Sequence, residues 1–284
     1  PFEHRLTTAR GEAPSIVRRA LGEGFRRIIA LGGDGTISEV VDGFFGPDGA
    51  AIAPGTILAV IPFGTGGDFR RSVGLPKEIE KAARSIAQGP IRDLDVGRLT
   101  YITPQGQTAR RHFVNIASFG ISGLVSAYVN VGSKRLGGRL SFALATLRAM
   151  RHYRPQRVRL RLDDGDPQEI DLHVTAVCNG QYFGGGMWMA PTARLDDGLF
   201  DIVTLAPMTL LTLLRQGQRV YKGTHLALPQ TTFARAKRVV AEPSDPHEAI
   251  LLDVDGETPG RLPATFEMLP AALRLQHPRP EGSS

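Results

Sequence analysis

Three glycines, Gly32, Gly33 and Gly35, flank a single acid, Asp34, between an apolar run at 27–31 and a segment of helical spacing at 37–45. Glycines at a strand-to-helix junction let backbone N–H groups approach a phosphate, and the helix behind them offers the anion its positive end. Asp34 brings a carboxylate that can reach Mg2+ directly or through water. Thr36 brings a hydroxyl for a phosphate oxygen or for the helix N-cap. Two glycines suffice for a tight turn; three around one acid exceed that need. A second loop, with Gly64, Thr65, Gly66, Gly67 and Asp68, follows the next apolar run at 57–62. In a parallel sheet, loops after neighbouring strands open on the same edge, so the two can face one nucleotide.

Two acidic turns come later: Asp196-Asp197-Gly198, and Asp255-Gly256-Glu257. Asp-Gly is a common hairpin signal, so each also reads as a plain turn. If 251–257 is a strand, Asp255 and Glu257 point to one face, as a paired acid site requires. A carboxylate hydrogen-bonded to an alcohol can take its proton while a phosphoryl group transfers, a reaction that asks for little beyond positioning and charge neutralisation.

The elements that must hold these residues change character along the chain. Up to about residue 93, helix-like pieces (14–21, 37–45, 78–88) alternate with strand-like ones (27–31, 57–62), which predicts a parallel sheet covered on both faces. Beyond it, 156–162, 169–177, 199–205, 239–241, 249–254 and 272–275 show period-two alternation, predicting an antiparallel sandwich. Helical segments at 133–151 and 207–221 interrupt it. The domains expected are therefore 1–94, α/β, and 95–277, β-rich, with the last strand free to return to the first domain and a disordered tail at 278–284.

Composition bounds the partners. The 284 residues carry 34 Lys plus Arg against 28 Asp plus Glu, a net +6, which favours an anionic partner. The basic residues lack interleaved stacking aromatics, which argues against nucleic acid. Cys178 is the only cysteine, so no internal disulfide or thiolate cluster forms and a reducing, cytoplasmic setting is expected. The apolar run at 57–63 is far shorter than the roughly 18 residues of a spanning helix, so membrane contact is expected to be peripheral. The segment 133–151 sets Leu136, Leu140, Leu144 and Leu147 at helical spacing among Lys134, Arg135, Arg139 and Arg148. That pattern suits either an anionic lipid surface or a core-packed helix with a solvated basic face. Met187, Trp188 and Met189, after Gly184-Gly185-Gly186, suit an adaptable apolar wall.

The two glycine loops and the two acidic turns, in that order, resemble the diacylglycerol kinase catalytic family, which includes bacterial lipid kinases, sphingosine kinases and ceramide kinases. The resemblance runs from about Thr7 to Leu275. It implies a nucleotide-binding domain of the NAD kinase and diacylglycerol kinase type, a β-sandwich lipid domain, and an active site in the cleft between them. By that resemblance Thr7, Gly32, Gly33, Asp34, Gly35, Thr36, Ile37, Gly64, Thr65, Gly66 and Asp68 hold ATP, with Asp34 closest to Mg-ATP. Asp197, with the backbone carbonyls of Arg194 and Leu199, matches a magnesium site that orders the second domain. Glu257 matches the proton acceptor and Asp255 its acidic companion. The acceptor implied is a lipid alcohol such as diacylglycerol at a membrane surface, reached peripherally from the cytoplasm, and a homodimer is compatible with the family.

Two departures stand out. The family's opening strand, which ends in an Asn-Pro and Ser-Gly turn at ATP, is not in the sequence. The chain opens at Pro1 without a methionine and is expected to begin downstream of its natural start. Gly67 stands where the family usually has Asn. The rival readings are an NAD kinase-like enzyme, which shares the Gly-Gly-Asp-Gly-Thr loop, and a non-catalytic nucleotide- or lipid-binding regulator.

Overall fold

The computed structural model describes residues 2–64, 66–131 and 138–278; Thr65, Lys134, Arg135, Leu136 and the tail beyond 278 lie outside the described residues. The first part follows the expected alternation. Helix α1 (Ala13–Gly22) leads to β1 (Arg27–Gly32), α2 (Asp34–Asp42), β2 (Ile57–Pro62), a short α3 (Asp68–Ser72) and α4 (Ile79–Gln88). β1 and β2 pair in parallel, Arg27 opposite Ile57 through Gly32 opposite Pro62, so both glycine loops leave the same edge. The burial pattern corrects the expectation of cover on both faces. β2 is buried along nearly its whole length, but β1 is the end strand and its outer face exposes Ile29 and Leu31.

The second part contains β3 (Ile91–Ile102), β4 (Thr108–Phe113), β5 (Ile116–Gly120), α5 (Ile121–Val131), α6 (Gly138–His152), β6 (Gln156–Leu162), β7 (Gln168–Leu172) and β8 (Val174–Cys178). There follow β9 (Tyr182–Phe183), β10 (Met187–Trp188), β11 (Phe200–Leu205), α7 (Leu210–Tyr221), β12 (Thr231–Ala236), β13 (Arg238–Pro243), β14 (Leu252–Val254) and β15 (Arg261–Gln276). One sheet runs β1-β2-β15-β13-β6-β7, with β3 and β4 joined through β15; a second runs β12-β11-β8-β5-β14. A core of Leu99, Phe113, Phe119, Phe200, Val239 and Phe266 fills the space between them.

β15 ties the halves together. Its early residues pair with β13 and β3, while Arg274 and Leu275 lie parallel to Ile57 and Leu58 of β2. β3 runs unbroken through the boundary expected at 94–95. The strand predicted at 169–177 is two strands in different sheets, broken at His173, whose amide bonds to Leu205 and whose carbonyl accepts from Ile121. Helix α5 was not expected; its apolar, serine-bearing sequence lacks a clear polar face. It packs on α6 around Val125, Ala145 and Ala149. Among the described residues no helix is long and apolar enough to cross a membrane.

Candidate active site

The first glycine loop is shaped by close contacts that exclude side chains. A Cβ on Gly32 would lie 2.6 Å from that of Thr36, and one on Gly64 would lie 3.0 Å from the Gly33 Cα, so the two loops touch backbone to backbone. Helix α2 begins at Asp34, and its first internal bond is Ile37 N–H to Gly33 O at 3.0 Å. The amides before it have no partner within the helix and are available to an anion. Ile37 itself is a core residue, 2% exposed, and its amide is committed to that bond.

Asp34 has a task that its motif did not announce. Its carboxylate accepts the N–H groups of Gly67 at 2.7 Å, Asp68 at 3.1 Å and Phe69 at 3.0 Å, binding the second loop to the first. Gly67, at φ 71°, caps α3 in the left-handed region, where glycine and asparagine are the residues that fit readily. That backbone demand accounts for glycine where the family usually places Asn. Asp68 turns inward: it accepts from Gly185 N–H at 2.8 Å and pairs with Arg71 at 2.8 Å, linking the loop to the glycine run of the second domain. Burial, with Asp34 nearby, pushes the Asp68 carboxyl up to about 6. Thr7 lies exposed on the segment before α1.

The late acidic pair reaches the same place by a route that corrects the strand expectation. β14 stops at Val254, and Val254 and Glu257 exchange N–H···O bonds across a two-residue turn. Asp255 and Gly256 both have positive φ, 49° and 88°, as a twisted hairpin turn demands. The turn faces inward. A Cβ on Gly35 would lie 3.9 Å from Glu257 Oε1, and Glu257 Oε2 is 2.7 Å from Arg111 Nη1. Arg111 also donates to Ser38 Oγ of α2 at 3.3 Å. Asp255 Oδ1 accepts from Ile116 N–H at 3.0 Å, its Oδ2 is buried, and the Ser38 hydroxyl stands within reach of the carboxylate. Burial pushes the Asp255 carboxyl up to about 6, against the lowering effects of the Ile116 amide and Arg111.

Arg111 and Ser38 are site residues that sequence reasoning missed; neither belongs to a motif. Next to Arg111, His112 bonds Asp42 through both its amide and its ring, each at 3.0 Å, and stacks on Phe45 at 3.9 Å. Those contacts fix β4 to α2 and so aim Arg111. Arg70 and Arg71, directly after the second loop, are a further pair of cations whose position in the sequence was the available signal.

The other acidic turn is built differently. Asp197 Oδ1 accepts from Leu199 N–H at 3.2 Å, and its Oδ2 lies 3.7 Å from Arg235 Nη1. Asp95 of β3 accepts from Gly198 and Ala271, each at 2.7 Å, clasping this turn to β15. Among the described residues no three His, Cys, Asp or Glu side chains converge as a metal cage. Magnesium keeps several of its waters and takes one or two carboxylates, so Asp197 with the backbone carbonyls of Arg194 and Leu199 fits part of such a shell, its Oδ2 lying only distantly from Arg235.

A cavity of about 420 Å³ opens in the second domain between α5, α6, α7 and the second sheet. Its wall is almost wholly apolar and includes Val125, Met150, Met187, Met189, Met208 and Val220. Trp188 is not part of that wall: it stacks on Tyr182 and donates to Gln181. Leu147 and Tyr221 line the cavity and are also 45% and 51% exposed, which marks its mouth.

Residues 1–99 match the family model described as the diacylglycerol kinase catalytic domain, and residues 115–277 match the YegS C-terminal NAD kinase beta sandwich-like domain. The chain is 33% identical over 275 residues to a diacylglycerol kinase of Bacillus subtilis, covering 96% of this chain and 84% of that one. It is 30% identical over 269 residues to a diacylglycerol kinase of Mycobacterium tuberculosis, covering 94% and 82%. A solved structure of a candidate diacylglycerol kinase from Bacillus anthracis superposes with a TM-score of 0.72 at 27% identity, over 95% of this chain and 84% of that one.

Proposed function

We propose a specific reaction for a chain that belongs, by these likenesses, to the diacylglycerol kinase family of lipid-phosphorylating transferases: transfer of the γ-phosphoryl group of Mg-ATP to the hydroxyl of a lipid alcohol. The observation that carries the reading is the Asp255–Glu257 turn folded against Gly35, which brings a buried carboxylate oxygen of Asp255 and the Glu257 carboxylate to the first glycine loop. ATP phosphates lie along Gly32, Gly33, Gly35, Thr36, Gly64 and Gly66, where the α2 N-terminus and the amides it leaves without helical partners favour anions. Asp34 holds the two loops in register and stands nearest the Mg-ATP. Thr7, Thr65 and Asp68 complete the nucleotide site in this reading.

Glu257 takes the proton of the lipid hydroxyl, with Arg111 holding it in place and Asp255 beside it supplying the second acceptor. Little more is required, because phosphoryl transfer rests on positioning and on neutralising charge. The acyl chains occupy the cavity, where each buried methylene contributes about 0.8 kcal/mol. Leu147 and Tyr221 at its mouth touch the membrane surface. We propose the Asp197 turn, with the carbonyls of Arg194 and Leu199, as a structural clasp for the second domain and the place where a magnesium ion would act on order rather than on chemistry.

The test is ADP release from Mg-ATP by the purified chain with mixed micelles of several lipid alcohols, beside Glu257→Gln and a parallel assay with NAD. Lipid-dependent turnover that is lost in the variant supports the reading. Phosphorylation of NAD with no lipid turned over overturns it.

A further inference from the structure

The inner end of the cavity is not apolar. Ser118 on β5 and Ser122 and Ser126 on α5 follow at intervals of four, and all three are buried. Ser118 donates to Ser122 at 2.9 Å. Asp253 sits directly opposite Ser118 across the β14–β5 pair and is 6% exposed. The Ser126 hydroxyl donates to its carboxylate, the Ser118 oxygen lies beside it, and Oδ1 accepts from Gly256 N–H at 3.1 Å. Ser122, Ser126 and Asp253 all line the cavity. Among the described residues no Lys or Arg side chain forms an ion pair with Asp253, so a buried acid stands at the end of an apolar channel without a counter-charge. Asp255 and Glu257 follow it by two and four residues.

A polar cluster of this kind is costly to bury unless something uses it. Building on the kinase reading, the geometry points to a headgroup subsite: Asp253, with Ser122 and Ser126, receives a second hydrogen-bond donor of the acceptor lipid, close to the hydroxyl that is phosphorylated. Carboxylate lone pairs take a hydroxyl or an ammonium group. They do not take ester oxygens, which only accept. A 1,2-diacylglycerol head carries one hydroxyl, and Glu257 needs it; the rest of that head is ester. A lipid with two donors near one another, such as a monoacylglycerol or a long-chain amino alcohol, satisfies both positions. Asp253 is on this view a specificity residue, and it leaves the phosphoryl-transfer step to Asp255 and Glu257.

Asp253 also holds the Gly256 amide, so the experiment must separate recognition of the head from support of the turn. Wild type, Asp253→Asn and Asp253→Leu are compared with micellar 1-monooleoylglycerol, 1,2-dioleoylglycerol and sphinganine, reading kcat and KM for each. Binding of the same lipids is followed in parallel through the fluorescence of Trp188, the chain's one tryptophan, which lies between cavity-lining Met187 and Met189. Wild type is expected to prefer at least one two-donor lipid over dioleoylglycerol by about 10-fold in KM and in binding, the scale of one hydrogen bond to a charged group. The two such lipids distinguish a hydroxyl from an ammonium donor. Asp253→Leu is expected to bring the ratio to about one, and Asp253→Asn, which keeps one acceptor oxygen, to leave part of it. An equal fall in kcat for every lipid with the ratio intact would make Asp253 a support of the turn and overturn the subsite. Wild-type binding of dioleoylglycerol as tight as the two-donor lipids overturns it as well, whether or not Asp253→Leu folds. If no lipid is phosphorylated but the binding preference is present and lost in the variants, the subsite stands and the kinase reading falls.

Discussion

The turns at Asp197-Gly198 and at Asp255-Gly256 share a dipeptide and a glycine of positive φ, yet they end in opposite roles. At the first, the acids are used within the chain. Asp196 pairs with Arg194, Asp197 with Leu199 N–H and Arg235, and Asp95 reaches in to hold Gly198 and Ala271. At the second, Arg111 holds Glu257 and the Ile116 amide and Ser38 hydroxyl hold Asp255, but the turn stands against Gly35 of the first glycine loop. A buried acid whose bonds are all made inside the chain braces the fold. One that is desolvated and opens on the glycine loops or on a cavity is poised for something from outside.

The contrast is broken or sharpened first at the second turn. Asp255→Asn and Glu257→Gln are each expected to lower kcat by about 100- to 10,000-fold while leaving the melting temperature near that of wild type. A variant that melts early yet retains kcat would move this turn into the bracing class. At the first turn the expectation reverses. Asp95→Ala leaves two amides without their acceptor, and urea unfolding should show a loss of about 3 kcal/mol with kcat retained in the folded fraction.

A third difference is read by pH. Burial raises Asp253 to about 7 and Asp255 to about 6. Between the usual carboxylate range and those values the folded chain holds protons that the unfolded chain has released, so their contribution to stability is present at low pH and lost as pH rises through 6 to 7. Asp253→Asn removes the ionisation, so its melting temperature relative to wild type should climb from pH 5 to pH 8. A flat difference would mean that Asp253 is less enclosed than described. The smallest effect is expected from Asp197→Ala, which loses a long ion pair to a partly exposed arginine: about 0.5 kcal/mol in the same urea assay.

Much of this organisation was legible before any fold was known. The strand-to-helix texture placed β1, α1, α4 and β2 within a residue or two, because apolar periodicity and glycine punctuation are local signals. The glycine loops announced themselves by composition, and the resemblance named the late acids. The strand at 91–102 was missed because its charged residues interrupt the apolar alternation; they are partnered by β15 and by the Asp197 turn, far away in sequence. The break at His173 was hidden because both flanking strands alternate in phase, and only membership of different sheets separates them.

What the sequence by itself determined is a set of local commitments: glycines where backbone must meet backbone or phosphate, Asp-Gly pairs where the chain must reverse, and alternation that fixes which side of each strand is apolar. The tertiary structure alone decided which acids are braced and which are exposed to chemistry. Asp34 became a clamp on the second loop, Arg111 became the partner of Glu257, and Asp253 came to the end of a cavity beside three serines. Those outcomes depend on partners brought together by β15 and by the pairing of β5 with β14. Local propensity contains no information about distant pairing, and an ionisable group acquires its role only from the burial and the partners that such pairing provides.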